Sequence, residues 1–393
     1  MPRTMSAATL LLLVVAADAA AQSSKVLTPY VNVSYSHDSN LFRVADAQVQ
    51  NPDEPRGDSS LQTVVGLAFE KEVGLQKFTG RVGLSHSNYS HYKMLDFDSR
   101  DAQANWKWRV GSHLWGNIGA STDNTLTPYT EFHENVRNLR LQKRANADLV
   151  WLFHPSWRIR GGVSGNKLEY DLDKQKFKNR TQTQTEFGLD YLPISGNIIG
   201  VVMRHGEDKF PNAEQFQSQN VINNKKTDEL KLRLDWRVTG KTQVQVLAGM
   251  VKQKHEVLPQ RDFQGANGRV TVIWAPTGKI EMTGVVWHEI DATDNLTTNY
   301  QITNGLRLAP TMSISAKMRL EGLLRYEKRT PIGIQGINFN QVDKFSSAGL
   351  TLTYAPIAKM QMSAALSHDN LSSNLVLRDY RATAVTFSAY YEY

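Results

Sequence analysis

Apolar and polar residues alternate one by one along most of this chain. The alternation is cleanest from Thr227 to Trp236, where Leu230, Leu232, Leu234 and Trp236 interleave with Glu229, Lys231, Arg233 and Asp235. Period two is the signature of a β-strand with two unlike faces. Four charges on one face cannot pack into a dry core, so that face has to meet water. Leu139 to Trp151 repeats the pattern, with Leu139, Leu141, Ala145, Ala147, Leu149 and Trp151 on one side and Arg140, Gln142, Arg144, Asn146 and Asp148 on the other. Arg269 to Trp274 and Ile314 to Tyr326 follow it too. Lys143 and Leu323 fall on the wrong faces in this register, and a bulge or an interface position is expected at each. The last stretch places Thr383, Val385, Phe387, Ala389, Tyr391 and Tyr393 on one face, opposite Ala382, Ala384, Thr386, Ser388 and Glu392. An aromatic terminus preceded by such an alternation suits a strand with one face toward lipid and one toward a lumen.

A second pattern punctuates the first. An aromatic or apolar residue followed two positions later by proline recurs at Phe153-His-Pro155, Tyr191-Leu-Pro193, Trp274-Ala-Pro276, Leu308-Ala-Pro310 and Tyr354-Ala-Pro356. Phe69 to Gly74, Trp108 to Gly111 and Trp236 to Gly240 hold the same place without proline. Proline donates no ladder hydrogen bond and belongs where a strand leaves its sheet, and a ring just before it suits a membrane boundary. The markers recur at roughly 34 to 46 residues, room for two strands, a tight turn and a longer loop. Eight tight turns join sixteen strands; a first strand near Val26 to Ser36 and the terminal strand raise the count to about eighteen, with sixteen as the alternative. The predicted fold is all-β: a transmembrane, antiparallel, up-and-down β-barrel with short periplasmic turns and longer extracellular loops. Those loops are expected near His37 to Ser60, Asp123 to Asn138, Asp171 to Arg180, Asp208 to Lys226 and Arg329 to Asn340.

Composition adds the compartment. Arg3, the apolar run around Leu10 to Val15 and Ala19-Ala20-Ala21 read as a secretory signal, dividing the chain into a signal over residues 1–21 and a barrel over 22–393. There is no cysteine, which removes disulfides, thiolate catalysis and cysteine metal sites. After the signal no run of about 18 apolar residues occurs, so a membrane helix is not expected. The expected location is integral to a Gram-negative outer membrane, with lipid and lipopolysaccharide as surroundings. The net charge of +7 then points to an anionic glycan rather than nucleic acid.

A lumen of eighteen strands should hold water. By parity Arg140, Arg144, Arg158, Arg160, Lys231, Arg233, Arg269, Arg307, Lys317, Arg319 and Arg325 face it, against Asp148, Glu186, Asp190, Glu229, Asp235 and Glu321. These charges can hold the wall in register as salt bridges. A guanidinium surplus can also bind carboxylates and phosphates and favour anionic solutes. Trp287, Trp115 and Tyr30 are inward-facing rings on which a sugar could stack. No catalytic role is expected: Ser85-His86-Ser87 and Ser90-His91 supply residue types without a selecting geometry. No metal or cofactor is expected either, although Asp96-Phe-Asp98 and Asp171-Leu-Asp173 could meet a divalent cation as well as serve as solvated turns.

The segment Pro29 to Arg43, above all Asp38-Ser-Asn-Leu-Phe-Arg43, resembles the opening strand and loop of EpsL-type outer-membrane barrels of exosortase (PEP-CTERM)-associated exopolysaccharide biosynthesis. The hairpin rhythm, lack of cysteine and aromatic terminus agree along nearly the whole chain. The resemblance implies export of an exopolysaccharide through the outer membrane, with periplasmic or inner-membrane export proteins as partners. The C-terminal strand resembles the signal read by the barrel-assembly machinery. Uptake of oligosaccharides or organic anions, or a non-conducting structural barrel, are the alternatives.

Overall fold

The computed structural model describes residues 26–48, 54–131, 134–216, 219–292, 298–333 and 341–393. The expected signal lies outside them. The first strand, β1 (Leu27–Asp38), is followed by β2 (Asp58–Val73), β3 (Gln76–Tyr89), β4 (Phe97–Val110), β5 (Leu114–Leu126), β6 (Leu139–His154) and β7 (Trp157–Tyr170). Next come β8 (Arg180–Tyr191), β9 (Ile198–Lys209), a small hairpin of β10 (Glu214–Phe216) and β11 (Gln219–Val221), then β12 (Lys225–Thr239), β13 (Thr242–His255) and β14 (Phe263–Thr277). The chain ends with β15 (Ile280–Ala292), β16 (Thr298–Ser315), β17 (Met318–Gly333), β18 (Asp343–Ile357), β19 (Met360–Ser373) and β20 (Tyr380–Glu392).

Eighteen of these strands form one antiparallel sheet in which β1 pairs with both β2 and β20. The cylinder is therefore closed, and no edge is left to aggregate. The β10–β11 hairpin stands apart, in the loop joining β9 to β12, which pair directly. With strands about 4.8 Å apart and tilted about 40°, eighteen give a backbone radius of roughly 18 Å. No helix among the described residues is long and apolar enough to cross a membrane.

Alternation decides the faces. Leu230, Leu232 and Trp236 of β12, Leu149 and Trp151 of β6 and Phe387 of β20 are large apolar side chains exposed on the outer wall. Tyr30, Val202, Asp190 and Trp287 are buried on the inner one. Seven of the eight tight turns fall where the rhythm puts them, and five of the eight are preceded by a one-residue slip in the ladder, at Trp151/His154, Arg237/Thr239, Trp274/Thr277, Ser313/Ser315 and Tyr354/Ile357. Pro276 and Pro356 sit in two of these bulges, where a missing N–H is tolerated.

Three expectations need correction. Pro310 does not close a strand: β16 runs to Ser315, Pro310 pairs with Met282 of β15, and the ladder to β17 passes over Ala309 and Pro310 without losing register. Ile314 to Tyr326 is accordingly the end of β16, a turn at Ala316-Lys317 and the start of β17. Neither Lys143 nor Leu323 lies at a bulge, since the ladders run through Thr122–Lys143–Lys167 and Leu323–Gly349 without a shift. The longer loops agree in place with those expected, but strands β1, β5 and β17 extend further into them, and the tip of the β17–β18 loop lies outside the described residues.

Candidate functional site

Parity places ten of the eleven predicted lumen cations on inward faces. Lys317 is the exception: it occupies the β16–β17 turn, where its Nζ donates to the Pro356 carbonyl at 2.6 Å. The ten are not free charges. Nine form ion pairs, with Arg140 on Glu131, Arg144 on Asp123, Arg269 on Glu289, Arg319 on Glu321, Arg325 on Glu327, and Arg158, Arg160, Lys231 and Arg233 in one cluster described below. Arg307 is exposed and has no ion-pair partner among the described residues.

The cluster spans β7, β8, β9 and β12 and is built by register. Asp190 lies opposite Arg158 and Gly200, Glu186 opposite Arg204, and Arg204 opposite Glu229. Asp190 Oδ2 accepts from Arg158 Nε at 2.8 Å, Arg160 Nε at 2.9 Å and Arg233 Nη1 at 3.2 Å, while the carboxylate itself is fully enclosed. Arg160 also reaches Glu186 at 3.1 Å, which takes Arg204 Nε at 2.7 Å. Glu229 binds Arg204 at 3.4 Å and Lys231 at 2.9 Å. Five cations thus share three carboxylates at ion-pair distance, and the lumen-facing Asp235 and Asp291 lie within electrostatic reach of Arg233 and Lys231. Gly200 makes room for it: a Cβ there would lie 2.2 Å from Asp190 Oδ1. Arg204 joins this patch although parity reading had not singled it out; its even position, continuous with Val202 and Gly206 in β9, was the available signal.

The three inward rings are where parity put them, and each carries an arginine. Arg81 lies 5.7 Å from the Tyr30 ring centre, Arg109 5.6 Å from Trp115 and Arg269 5.3 Å from Trp287. Trp287 packs against Gly305, where a Cβ would come within 2.0 Å of the ring. With guanidinium beside each ring, and glycine against Tyr30 and Trp287, these rings are part of a cationic wall rather than bare stacking platforms.

At the extracellular end the Asp38 to Arg43 motif folds on itself. Asp38 takes the Asn40 N–H at 2.8 Å and Arg43 Nη1 at 2.8 Å, and Arg43 adopts the left-handed backbone with φ of 56°. The Asn40 amide donates to the carbonyls of Val44 and Arg381, both at 2.9 Å, and Ser39 N–H donates to Thr383 O, tying the loop to β20 at the seam. Phe42 enters edge-on between Tyr92 and Tyr129, 4.7 Å from each, over fully buried Leu95. Tyr92 donates to Pro55 O at 2.6 Å. Burial, with Glu54 and Asp58 nearby, pushes its hydroxyl above the ordinary tyrosine value, so it remains a donor. The β1–β2, β3–β4 and β5–β6 loops are thereby drawn together over one side of the opening.

The other candidates are accounted for locally. His86 binds Asp98 at 2.6 Å and Asn88 at 3.0 Å and lies on the outer face, opposite in parity to Ser85 and Ser87. Asp96 accepts the Tyr89 N–H, Asp171 the Leu139 N–H, and Asp173 pairs with Lys176, which holds its carboxyl below the usual range.

Known proteins can be compared with this geometry. A family model described as "Putative beta-barrel porin 2" matches residues 228–392, from β12 to β20. The structure of Pseudomonas aeruginosa OccK5 (OpdH) is similar at a TM-score of 0.51 and 10% identity, over 94% of this chain and 99% of that one. The fold is that of a porin-like outer-membrane barrel. Pseudomonas aeruginosa OpdK, solved with vanillate, gives 0.51 at 10% identity over 93% and 99%. A bacterial polysaccharide outer membrane secretin overlies 93% of this chain and 98% of its own at 12% identity, but at a TM-score of 0.37, too loose to argue from. No curated protein matches the sequence. At such identities the porin-like barrel is shared as a fold, and the chemistry of its wall has to be argued from this chain's own residues.

Proposed function

We propose that this barrel is a channel in a Gram-negative outer membrane that passes an acidic exopolysaccharide outward. The observation that carries the reading is the inward patch on β7, β8, β9 and β12, where five cations share three carboxylates. Guanidiniums already held in place offer their remaining N–H groups to a passing carboxylate at little ordering cost, yet each contact is weak enough to be released. The EpsL-type resemblance at Asp38 to Arg43 supports a polymer as the cargo. The role is transport without catalysis or cofactor: polymerisation and driving force come from periplasmic and inner-membrane export proteins, and the barrel-assembly machinery inserts the chain through β20.

A clean deletion tests this. Secreted acidic polymer should be lost and return on complementation; unchanged secretion sinks the export reading. The packing of Phe42, which draws three loops over the opening, favours a second reading, uptake of small acidic saccharides or organic anions. In that case the deletion leaves secretion intact and slows growth on those solutes.

A further inference from the structure

The anomalous Lys143 marks a second site, on the outside of the barrel. It faces outward near the extracellular end of β6, directly opposite Lys167 of β7, and the two side chains are 54% and 50% exposed. Like charges facing each other across a ladder repel. Glu169 offsets them only in part, at 3.9 Å from Lys143 and 2.8 Å from Lys167. Arg100 stands on the same outer face two strands away, about 10 Å along the wall, exposed and without an ion-pair partner among the described residues. The three cations thus answer to Glu169, while Asp98, outward two residues from Arg100, is engaged by His86 at 2.6 Å.

Their height is set by the girdle at the other end. Lys143 is eight residues from Trp151 and Lys167 ten from Trp157, which at about 3.4 Å per residue and 40° of tilt is roughly 21 to 26 Å. That is the height of the apolar band, so the cations meet the outer-leaflet headgroups.

Directly beneath them the wall is hollow. Ala104, Ala120, Ala145, Ala147 and Gly165 floor an almost wholly apolar depression of about 620 Å³ across β3 to β7, bounded below by the stacked Phe78 and Trp106 rings, 5.7 Å apart. Elsewhere in the band Phe187, Met203, Leu232, Leu306 and Leu350 stand large and exposed, interleaved with small outward residues such as Ala248, Gly268 and Ala348. An apolar hollow in the membrane band capped by cations at headgroup level is complementary to one kind of ligand, an acylated lipid with a phosphorylated headgroup.

We propose that β3 to β7 form a binding site for the lipid A part of lipopolysaccharide, its phosphates on Arg100, Lys143 and Lys167 and acyl chains in the alanine-floored hollow. This site is independent of what the lumen carries. The test uses the full-length barrel in detergent, titrated with purified lipopolysaccharide, with the same lipopolysaccharide stripped of phosphate, and with phosphatidylglycerol. Lys143→Ser with Lys167→Ser should weaken lipopolysaccharide binding by roughly 30-fold, the effect of two lysines at an anionic surface. Lys143→Arg with Lys167→Arg should keep it. Ala104→Leu with Ala145→Leu fills the hollow without disturbing the lumen and should weaken binding while heat-modifiable gel mobility shows the barrel folded. Serine variants that bind within twofold of the parent, filled variants that bind unchanged, or phosphatidylglycerol that competes equally would each overturn the assignment.

Discussion

Asp190 is the hub of the charged wall, and Asp190→Asn tests whether the cluster holds the barrel together and sets its field. The substitution keeps size and removes one charge. Three guanidiniums between 2.8 and 3.2 Å lose their shared carboxylate, and only Arg160 keeps another, Glu186. Breaking a buried pair costs about 3–5 kcal/mol. The arginine side chains here are 17–29% exposed to the lumen, so screening brings the expected loss to about 2–3 kcal/mol. Urea unfolding of the refolded barrel, followed by heat-modifiable gel mobility, measures it. In the same protein the reversal potential across a planar bilayer under a salt gradient should move toward greater anion preference, because a negative charge has left the wall. Gly200→Ala gives an independent arm, since its Cβ would come 2.2 Å from Asp190 Oδ1 and must push the carboxylate aside; it should show a smaller loss of the same kind. Parental stability together with parental selectivity in Asp190→Asn would refute the hub.

Arg307→Ser removes an exposed inward cation without an ion-pair partner among the described residues, so anion preference should fall while stability changes by less than about 0.5 kcal/mol; bilayer selectivity and urea midpoints read the two separately. Phe42→Ala empties the space between Tyr92 and Tyr129, which should cost about 3 kcal/mol of loop packing. Faster proteolysis within the β1–β2 loop and larger or noisier single-channel conductance are expected, and parental cleavage rates would show that the ring does not hold the loop. Gly305→Val places a side chain where the Trp287 ring now lies; the ring should swing into the lumen, lowering conductance and shifting tryptophan emission, and neither change would appear if the wall could absorb it.

Much of the barrel was legible because alternation is a property of a single strand. A residue's neighbours two positions away share its face whatever the rest of the chain does, so Leu230 to Trp236 could be assigned outward and Glu229 to Asp235 inward directly. The turn rhythm was legible for a related reason, since proline and glycine act on their own backbone. It misplaced one boundary at Pro310, because a proline can stay in a strand when the ladder on one side passes over it. At Lys143 alternation alone offered a bulge or an interface position, and the ladder has no bulge there; what makes the outward position tolerable, its height on the wall and the small residues below it, belongs to four neighbouring strands.

The sequence by itself determined the strand character, the two faces, the number of tight turns and a count of about eighteen strands, with sixteen left open, all carried by local periodicity. Only the tertiary structure decided which charges meet. Arg233 reaches Asp190 across 43 residues and Asn40 reaches Arg381 across 341, and such pairs depend on the register between strands and on closure of β1 against β20. Register is fixed cooperatively around the whole cylinder, because a slip of one residue at any ladder would turn every later side chain to the opposite face.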